Sequence, residues 1–397
     1  MKRLADLSVL IDRIPFAEGN LGEEAILASL LQDLLACGIS DISVLSNQPD
    51  RTRHRHGDKV KVIEDKPRRW PSLPFTVTDF DLLIWGGGHM LQDRSSQFYI
   101  PYVVKTLLLS KFLSVPRFIY APGLGPVVNW PGRFLAKRAL AGVQGSTVRD
   151  DTSVSFLNEI GVARRFQRTA DPVFSLRTSA DGLQKTAAGD APMIGVAPRR
   201  HFYRRGSMVP MSWQLALQKQ INPRFEGFLE DTAAALDLLV EKRNARIRLM
   251  PMDIGPNPRD DLICLRLRSK MVHTEAAEVL DEDLSLEEFT RRLSELDLLI
   301  SSRLHGIILG LRFGLPFIGI DSDGKVAALA SSIGCRDLVI RDSDFDRDLF
   351  YRLIERTLDR GEELRHYLRR QGALMRDRAR ENRRVLERCL KSVAEEA

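Results

Sequence analysis

Residues 301–326 read SSRLHGIILGLRFGLPFIGIDSDGKV, and the fold turns on this stretch. It follows an apolar, strand-like run at 296–300, LDLLI. Ser301 and Ser302 break that run, and either suits the cap of a helix. Arg303 and His305 stand at the top of the helix, which stays apolar from 306 to 313 apart from Arg312 and stops at Gly314 and Pro316. FIGI at 317–320 reads as a buried strand, and 321–325 as the loop after it. Strand, helix, strand is the repeating unit of a parallel sheet, and such sheets take ligands at the carboxyl ends of their strands. Both polar clusters, 301–305 and 321–325, fall at that edge.

The edge is cationic. Arg303, His305 and Lys325 surround a helix N-terminus, whose N–H groups and dipole favour an anion. His305 is the group there able to move a proton near neutral pH. Plain structural roles stand beside these: Arg303 paired with a carboxylate, and His305 a satisfied, partly buried imidazole. Two cations, a helix terminus and the adjacent Gly306 together favour an anion site over those roles.

The run SSRLHGIILGLRFGLPFIGI with the GKV that follows resembles the C-terminal signature of the polysaccharide pyruvyl transferases. In that family a serine-x-arginine-leucine-histidine run opens a helix, a glycine-x-proline ends it, and a lysine follows the next strand. The resemblance implies transfer of an enolpyruvyl unit from phosphoenolpyruvate to a sugar, closed as a ketal, with no cofactor beyond that donor. It also implies a glycosyltransferase-B-like fold.

The chain has 397 residues, enough for two domains, and its apolar fraction of 44% can fill two cores. No run approaches the ~20 apolar residues that span a bilayer, and the opening MKRLADLSVLIDRIPF is too short and too acidic for a signal peptide. It reads instead as a first strand, at 4–11. Four cysteines far apart in sequence, with no CxxC pair, suggest reduced thiols, a cytoplasmic setting and no zinc site. The net charge is +6, yet residues 365–391 alone hold ten Lys or Arg against three Asp or Glu. The remainder is near neutral, which argues against a nucleic-acid partner.

Along the chain, Asn20-Leu21-Gly22-Glu23-Glu24 precedes a helix at 25–36, with its carboxylates well placed at a helix N-terminus. The family has a similar asparagine-x-glycine-aspartate-glutamate run, with Glu23 here in place of the aspartate, so Asn20 and Glu23 are candidates for the cleft. The strand 80–85 ends in Gly86-Gly87-Gly88-His89. This is neither a P-loop nor a GxGxxG motif, but it lets the backbone approach a ligand or turn sharply. The family carries a similar triple glycine. His89 either reaches the cleft or is a turn residue. Residues 47–74 read as partly irregular.

Arg149 closes a strand-like run at 144–148. Without the resemblance it is a surface partner of Asp150 or Asp151. The family's similar valine-arginine-aspartate run implies a role in binding phosphoenolpyruvate. A small, polar linker at 175–191 leads into a second series starting with MIGVA at 193–197. Arg199, Arg200, Arg204 and Arg205 follow, either facing the cleft and holding anions or forming a solvated loop. Asp260 and Asp261 suit helix capping or sugar hydroxyls. The segment 350–397 reads as helical, with an apolar stripe through Leu364, Leu368, Met375, Ala379, Leu386 and Cys389. Its arginine-rich face, 365–391, is either surface charge or a contact for an anionic membrane or a diphosphate-bearing substrate.

The expected architecture is therefore α/β: two Rossmann-like domains, 1–180 on the acceptor side and 190–345 on the donor side, with a central cleft. A helical segment, 346–397, closes across both. Arg303, Lys325 and Arg149 are expected to hold phosphoenolpyruvate, with His305 as general acid/base and a sugar or lipid-linked oligosaccharide as acceptor. No His/Asp/Glu cluster has metal-ligand spacing. A nucleotide-sugar glycosyltransferase of the same fold, or a non-catalytic anion- or membrane-binding protein, stays open. Against the first, 303–320 contains no Asp or Glu to hold a donor ribose. Against the second stands the clustering of His305, Arg303 and Lys325 at one sheet edge.

Overall fold

The computed structural model describes residues 1–15, 19–93, 99–181, 191–201, 222–255, 259–280 and 283–397. Arg204 and Arg205, and linker positions 182–190, lie outside these.

Two wholly parallel sheets organise the chain. The first runs in the order β3-β2-β1-β4-β5-β6-β7: β1 Ser8–Asp12, β2 Asp41–Ser46, β3 Lys61–Glu64, β4 Leu82–Gly86, β5 Arg117–Tyr120, β6 Gly145–Val148 and β7 Gln167–Arg168. The second runs β10-β9-β8-β11-β12-β13: β8 Met193–Ala197, β9 Arg246–Leu249, β10 Ala277–Val279, β11 Leu298–Ser301, β12 Phe317–Asp321 and β13 Val339–Arg341. Central strands such as LLIWG and FIGID are buried throughout, because helices cover both sheet faces. In each sheet the order reverses next to the first strand of the half, between β1 and β4 and between β8 and β11. Such reversal points open a crevice at the carboxyl edge.

The helices that set the site are α1 Leu21–Ala36, α2 Pro49–His56, α3 Leu73–Thr78, α4 Tyr99–Phe112, α5 Trp130–Leu140, α6 Asp151–Glu159, α7 Pro223–Arg243, α8 Asp260–Arg268, α9 Leu286–Ser294, α10 Leu304–Leu311 and α11 Lys325–Ser332. One apolar core joins the halves, running from Leu27 and Leu30 of α1 through Ile307 and Ile308 of α10 into the second sheet. A second core fills the far face of the first sheet under α4 and α5. No helix among the described residues is long and apolar enough to cross a membrane.

Several local readings are corrected. The first strand begins at Ser8, because Leu4–Asp6 forms a 3-10 turn. The stretch read as partly irregular at 47–74 contains α2, β3 and the start of α3. The first helix begins at Leu21, since the Asn20 side chain accepts from the N–H groups of Gly22 at 2.9 Å and Glu23 at 3.4 Å. The C-terminal segment is two helices, α12 Arg347–Asp359 and α13 Gly361–Glu396. The α13 stripe is buried as its periodicity requires. Gly372 packs on the Leu311 carbonyl in the second half, while Cys389 packs at Gly145 in the first.

Candidate functional site

The carboxyl edges of the two sheets face each other across a cleft of about 660 Å³. His89, Arg149 and Asp171 come to its wall from the first half, Arg199, Asp323 and Lys325 from the second, and Met375 and Arg378 from α13.

His89 follows β4. Its Nε2 lies 2.6 Å from the Gly125 carbonyl oxygen, which can only accept, so Nε2 carries the proton and Nδ1 is left as an acceptor. Burial first, and then the charges of Lys325 and Arg149, hold its pKa well below the ordinary histidine value, so the ring is neutral. A Cβ on Gly123 would come within 2.7 Å of His89 Nδ1 and 2.8 Å of Arg149 Nη2. Glycine there lets the two side chains meet.

Arg149 leaves the end of β6 and is buried rather than paired at the surface. Its Nη1 donates to Asp171 Oδ2 at 2.8 Å, with Asp150 more distant at 3.6 Å. Asp150 caps α6 through the Ser153 N–H, and Asp151 pairs with Arg168. Asp171 is the residue that sequence reasoning missed; its Asp-Pro dipeptide reads only as a turn. The same Oδ2 stands 3.4 Å from Nε2 of His305 in the other half. Burial alone would raise the Asp171 pKa, but His305 and Arg149 outweigh it and bring it down to about 2. The folded pKa lies below the unfolded one. The stabilisation is therefore complete above about pH 4 and is lost as the pH falls towards 2.

His305 sits in the first turn of α10, beside the cleft-lining Leu304, with 14% of its side chain exposed. Its other ring nitrogen lies against Gly22 in the first turn of α1, where a Cβ would overlap the imidazole. The two halves are pinned at this point. The Leu21 N–H donates to the Met252 carbonyl at 2.8 Å, and Asn20 Nδ2 donates to Asp253 at 3.3 Å. Gly22→Ala should therefore lower turnover roughly tenfold to a hundredfold by displacing the ring, although alanine is the better helix former. Steady-state rates beside a melting curve check this; unchanged turnover would show that α1 does not set the ring.

Arg303 points away from the cleft wall. It donates Nε and Nη2 to the two carboxylate oxygens of Asp260 at 2.8 and 2.7 Å, and lies 3.4 Å from Asp253. Asp260 thus does not cap its helix; it opens α8 fully buried, holding the loop that carries His305. Asp261 pairs with Arg259. The expected serine cap is also different: Ser301 Oγ accepts from the Arg303 N–H at 3.0 Å and donates to its carbonyl at 2.8 Å.

Lys325 opens α11 after Gly324, whose φ of 91° permits the tight turn. Asp321 accepts the N–H groups of Gly324 and Val326 at 3.1 Å. Asp323 takes Lys325 Nζ at 3.1 Å and Arg199 Nη1 at 3.3 Å. Burial lowers the Lys325 pKa, and Asp323 opposes it. Burial would raise the Asp323 pKa, but Lys325 and Arg199 pull it well below the carboxylate range.

Of the other residues expected at the cleft, Arg199 and His89 line it, whereas Arg200, Asn20, Glu23 and the triple glycine do not. The glycines pack behind it: Gly86 against the Tyr120 carbonyl, Gly87 against Ile14 and Gly88 against the Glu23 carboxylate.

A family model of polysaccharide pyruvyl transferase matches residues 20–324. No curated protein matches the chain. Solved structures share the arrangement of the halves. S. aureus MnaA in a co-structure with UDP aligns with a TM-score of 0.59 at 11% identity, over 91% of this chain and 91% of that one. The UDP-GlcNAc 2-epimerase of Methanocaldococcus jannaschii gives 0.58 at 10%, over 89% and 92%. Anabaena Alr3699/HepE, in complex with UDP and glucose, gives 0.57 at 12%, over 97% and 100%. At these identities the likeness concerns the fold: two Rossmann-like domains across a cleft, the GT-B arrangement.

Proposed function

The chain belongs to the polysaccharide pyruvyl transferase family, a transferase of polysaccharide modification, and we propose that it moves the enolpyruvyl unit of phosphoenolpyruvate onto a sugar and closes it as a ketal. The observation that carries this reading is the meeting of Arg149 and Lys325, from opposite halves, at one cleft with Arg199 and His89; His305 does not line the cleft itself but stands 3.4 Å from Asp171, the partner of Arg149. Arg149 and Lys325 hold the carboxylate and phosphate of the donor, and Arg199 adds to them across Asp323. Arg303 braces the loop behind.

The reaction adds a proton to the methylene carbon of phosphoenolpyruvate, leaving an oxocarbenium-like centre at the neighbouring carbon. One sugar hydroxyl bonds to that carbon and loses its proton. The bond to the phosphate oxygen breaks, and phosphate leaves with the electron pair. A second hydroxyl then bonds to the same carbon, and its proton leaves with the products. His305, 3.4 Å from the Asp171 carboxylate, is the general acid/base, and the cations steady the leaving phosphate. The acceptor is a sugar of a surface polysaccharide or its lipid-linked precursor.

The test is donor choice. Phosphoenolpyruvate should raise the melting temperature by several degrees at saturation, because it binds the native state selectively, and phosphate should appear when a sugar acceptor is added. UDP- and GDP-sugars should shift the melting temperature less. A shift with a nucleotide sugar and none with phosphoenolpyruvate would favour a glycosyltransferase instead, the ligand class present in the fold's UDP-bound neighbours.

A further inference from the structure

Residues 99–149 contain seven Lys or Arg and no Asp or Glu, although the whole chain carries 53 acidic residues. The fold gathers part of this segment into one exposed face. Trp130 and Phe134 lie one helical turn apart on α5 and are 77% and 48% exposed, and Val128 just before them is 74% exposed. Lys111 at the end of α4 donates to the Arg138 carbonyl at 2.9 Å, and the neighbouring Phe112 is 85% exposed. Arg138 lies over the Phe134 ring at 5.1 Å, and Lys137 is exposed beside it. Arg133 is tied to Glu159, and Lys111, Lys137 and Arg138 are the cations of this face with no carboxylate partner among the described residues.

Large aromatic and aliphatic side chains presented to solvent within a surface whose cations outnumber Glu159, its one carboxylate among the described residues, match neither a core nor a solubility face. Aromatic rings and basic groups at the same level are what a membrane interface takes up, the rings at the acyl boundary and the cations at anionic head groups. From this we infer that α5, with the end of α4, docks the protein on an anionic lipid bilayer. The docking face also adjoins the cleft. Pro126 lines the cleft and Trp130 belongs to the face, four residues on, a span of at most about 14 Å. The joining backbone is fixed, since Asp93 Oδ2 accepts the N–H groups of Val128 and Asn129 at 2.9 and 2.8 Å. A sugar carried on a lipid would reach the cleft while the protein stays on the membrane surface. By contrast, α13 carries exposed arginines, two of them paired along the helix, Arg380 with Asp377 and Arg384 with Glu381, but it presents no comparable aromatic row.

The experiment is co-sedimentation of the full chain with vesicles of phosphatidylcholine, with and without about one third phosphatidylglycerol. Binding is expected to the anionic vesicles alone and to weaken as salt rises. The double variant Trp130→Ser/Phe134→Ser should weaken it at least tenfold, and Lys111→Gln/Lys137→Gln/Arg138→Gln should weaken it similarly. Arg380→Gln/Arg384→Gln on α13 should bind as the native chain does. Native-like binding by the α4–α5 variants, no vesicle binding by the native chain, or loss only with the α13 variant would overturn the inference. So would light scattering that shows a dimer split by Trp130→Ser/Phe134→Ser, which would make the face a contact between copies. Sedimentation involves no turnover, so this result stands apart from donor choice.

Discussion

Replacing His305 with glutamine is expected to lower kcat by about two orders of magnitude or more while leaving the melting curve nearly in place. Glutamine keeps a hydrogen-bonding head for Asp171 but moves no proton near neutral pH. The structure gives this substitution its particular force. His305 stands where the two halves meet, 3.4 Å from Asp171 and against Gly22, so its position depends on both sheets. His305→Ala should lose at least as much turnover, and circular dichroism should be unchanged. Lys325→Ala should behave differently: it lines the cleft as a cation, so its loss should raise the apparent KM for phosphoenolpyruvate more than it lowers kcat. Phosphate release by the three variants, beside their melting curves, is the measurement. Near-native turnover by His305→Gln, or simple unfolding of His305→Ala, would make the histidine structural. His89, which lines the cleft directly, would then be the next proton carrier to test.

The second large effect is on stability. Arg303→Met should destabilise the protein by about 3–5 kcal/mol, because it strands a buried carboxylate without its partner. Asp260 has no exposed surface, and Arg303 grips both its oxygens. Burial already pushes the Asp260 pKa up to about 6 against the pull of Arg303. Without Arg303 the folded pKa rises further above the unfolded value. The deficit is then full at alkaline pH and narrows as the pH falls from that raised value towards about 4. Denaturant unfolding at pH 8 and pH 5 reads this directly. Arg303→Met/Asp260→Leu should recover much of the loss, as replacement of a whole buried pair often does. Unchanged stability with a raised KM for phosphoenolpyruvate would instead place Arg303 on the donor.

Much of this was legible in the chain itself. The β11–α10–β12 unit is written locally, in two apolar runs, a polar break and a glycine-proline stop, so residues 296–326 fix their own structure wherever they fold. Two such series in one chain dictate two parallel sheets, and parallel sheets place Arg149, Lys325 and His89 at carboxyl edges. The short outer strands β3, β10 and β13 were not legible: three or four residues with partly exposed side chains carry too little periodicity. Partners were also beyond reach. Arg303 advertises a cation at a helix terminus, yet Asp260, 43 residues earlier, takes its fork. Asp171 looks like a turn residue, but it becomes the shared partner of Arg149 and His305 when the halves close. A charged side chain's type is set by sequence, but its partner is whichever opposite charge packing brings within about 3–4 Å, and only the tertiary structure decides that.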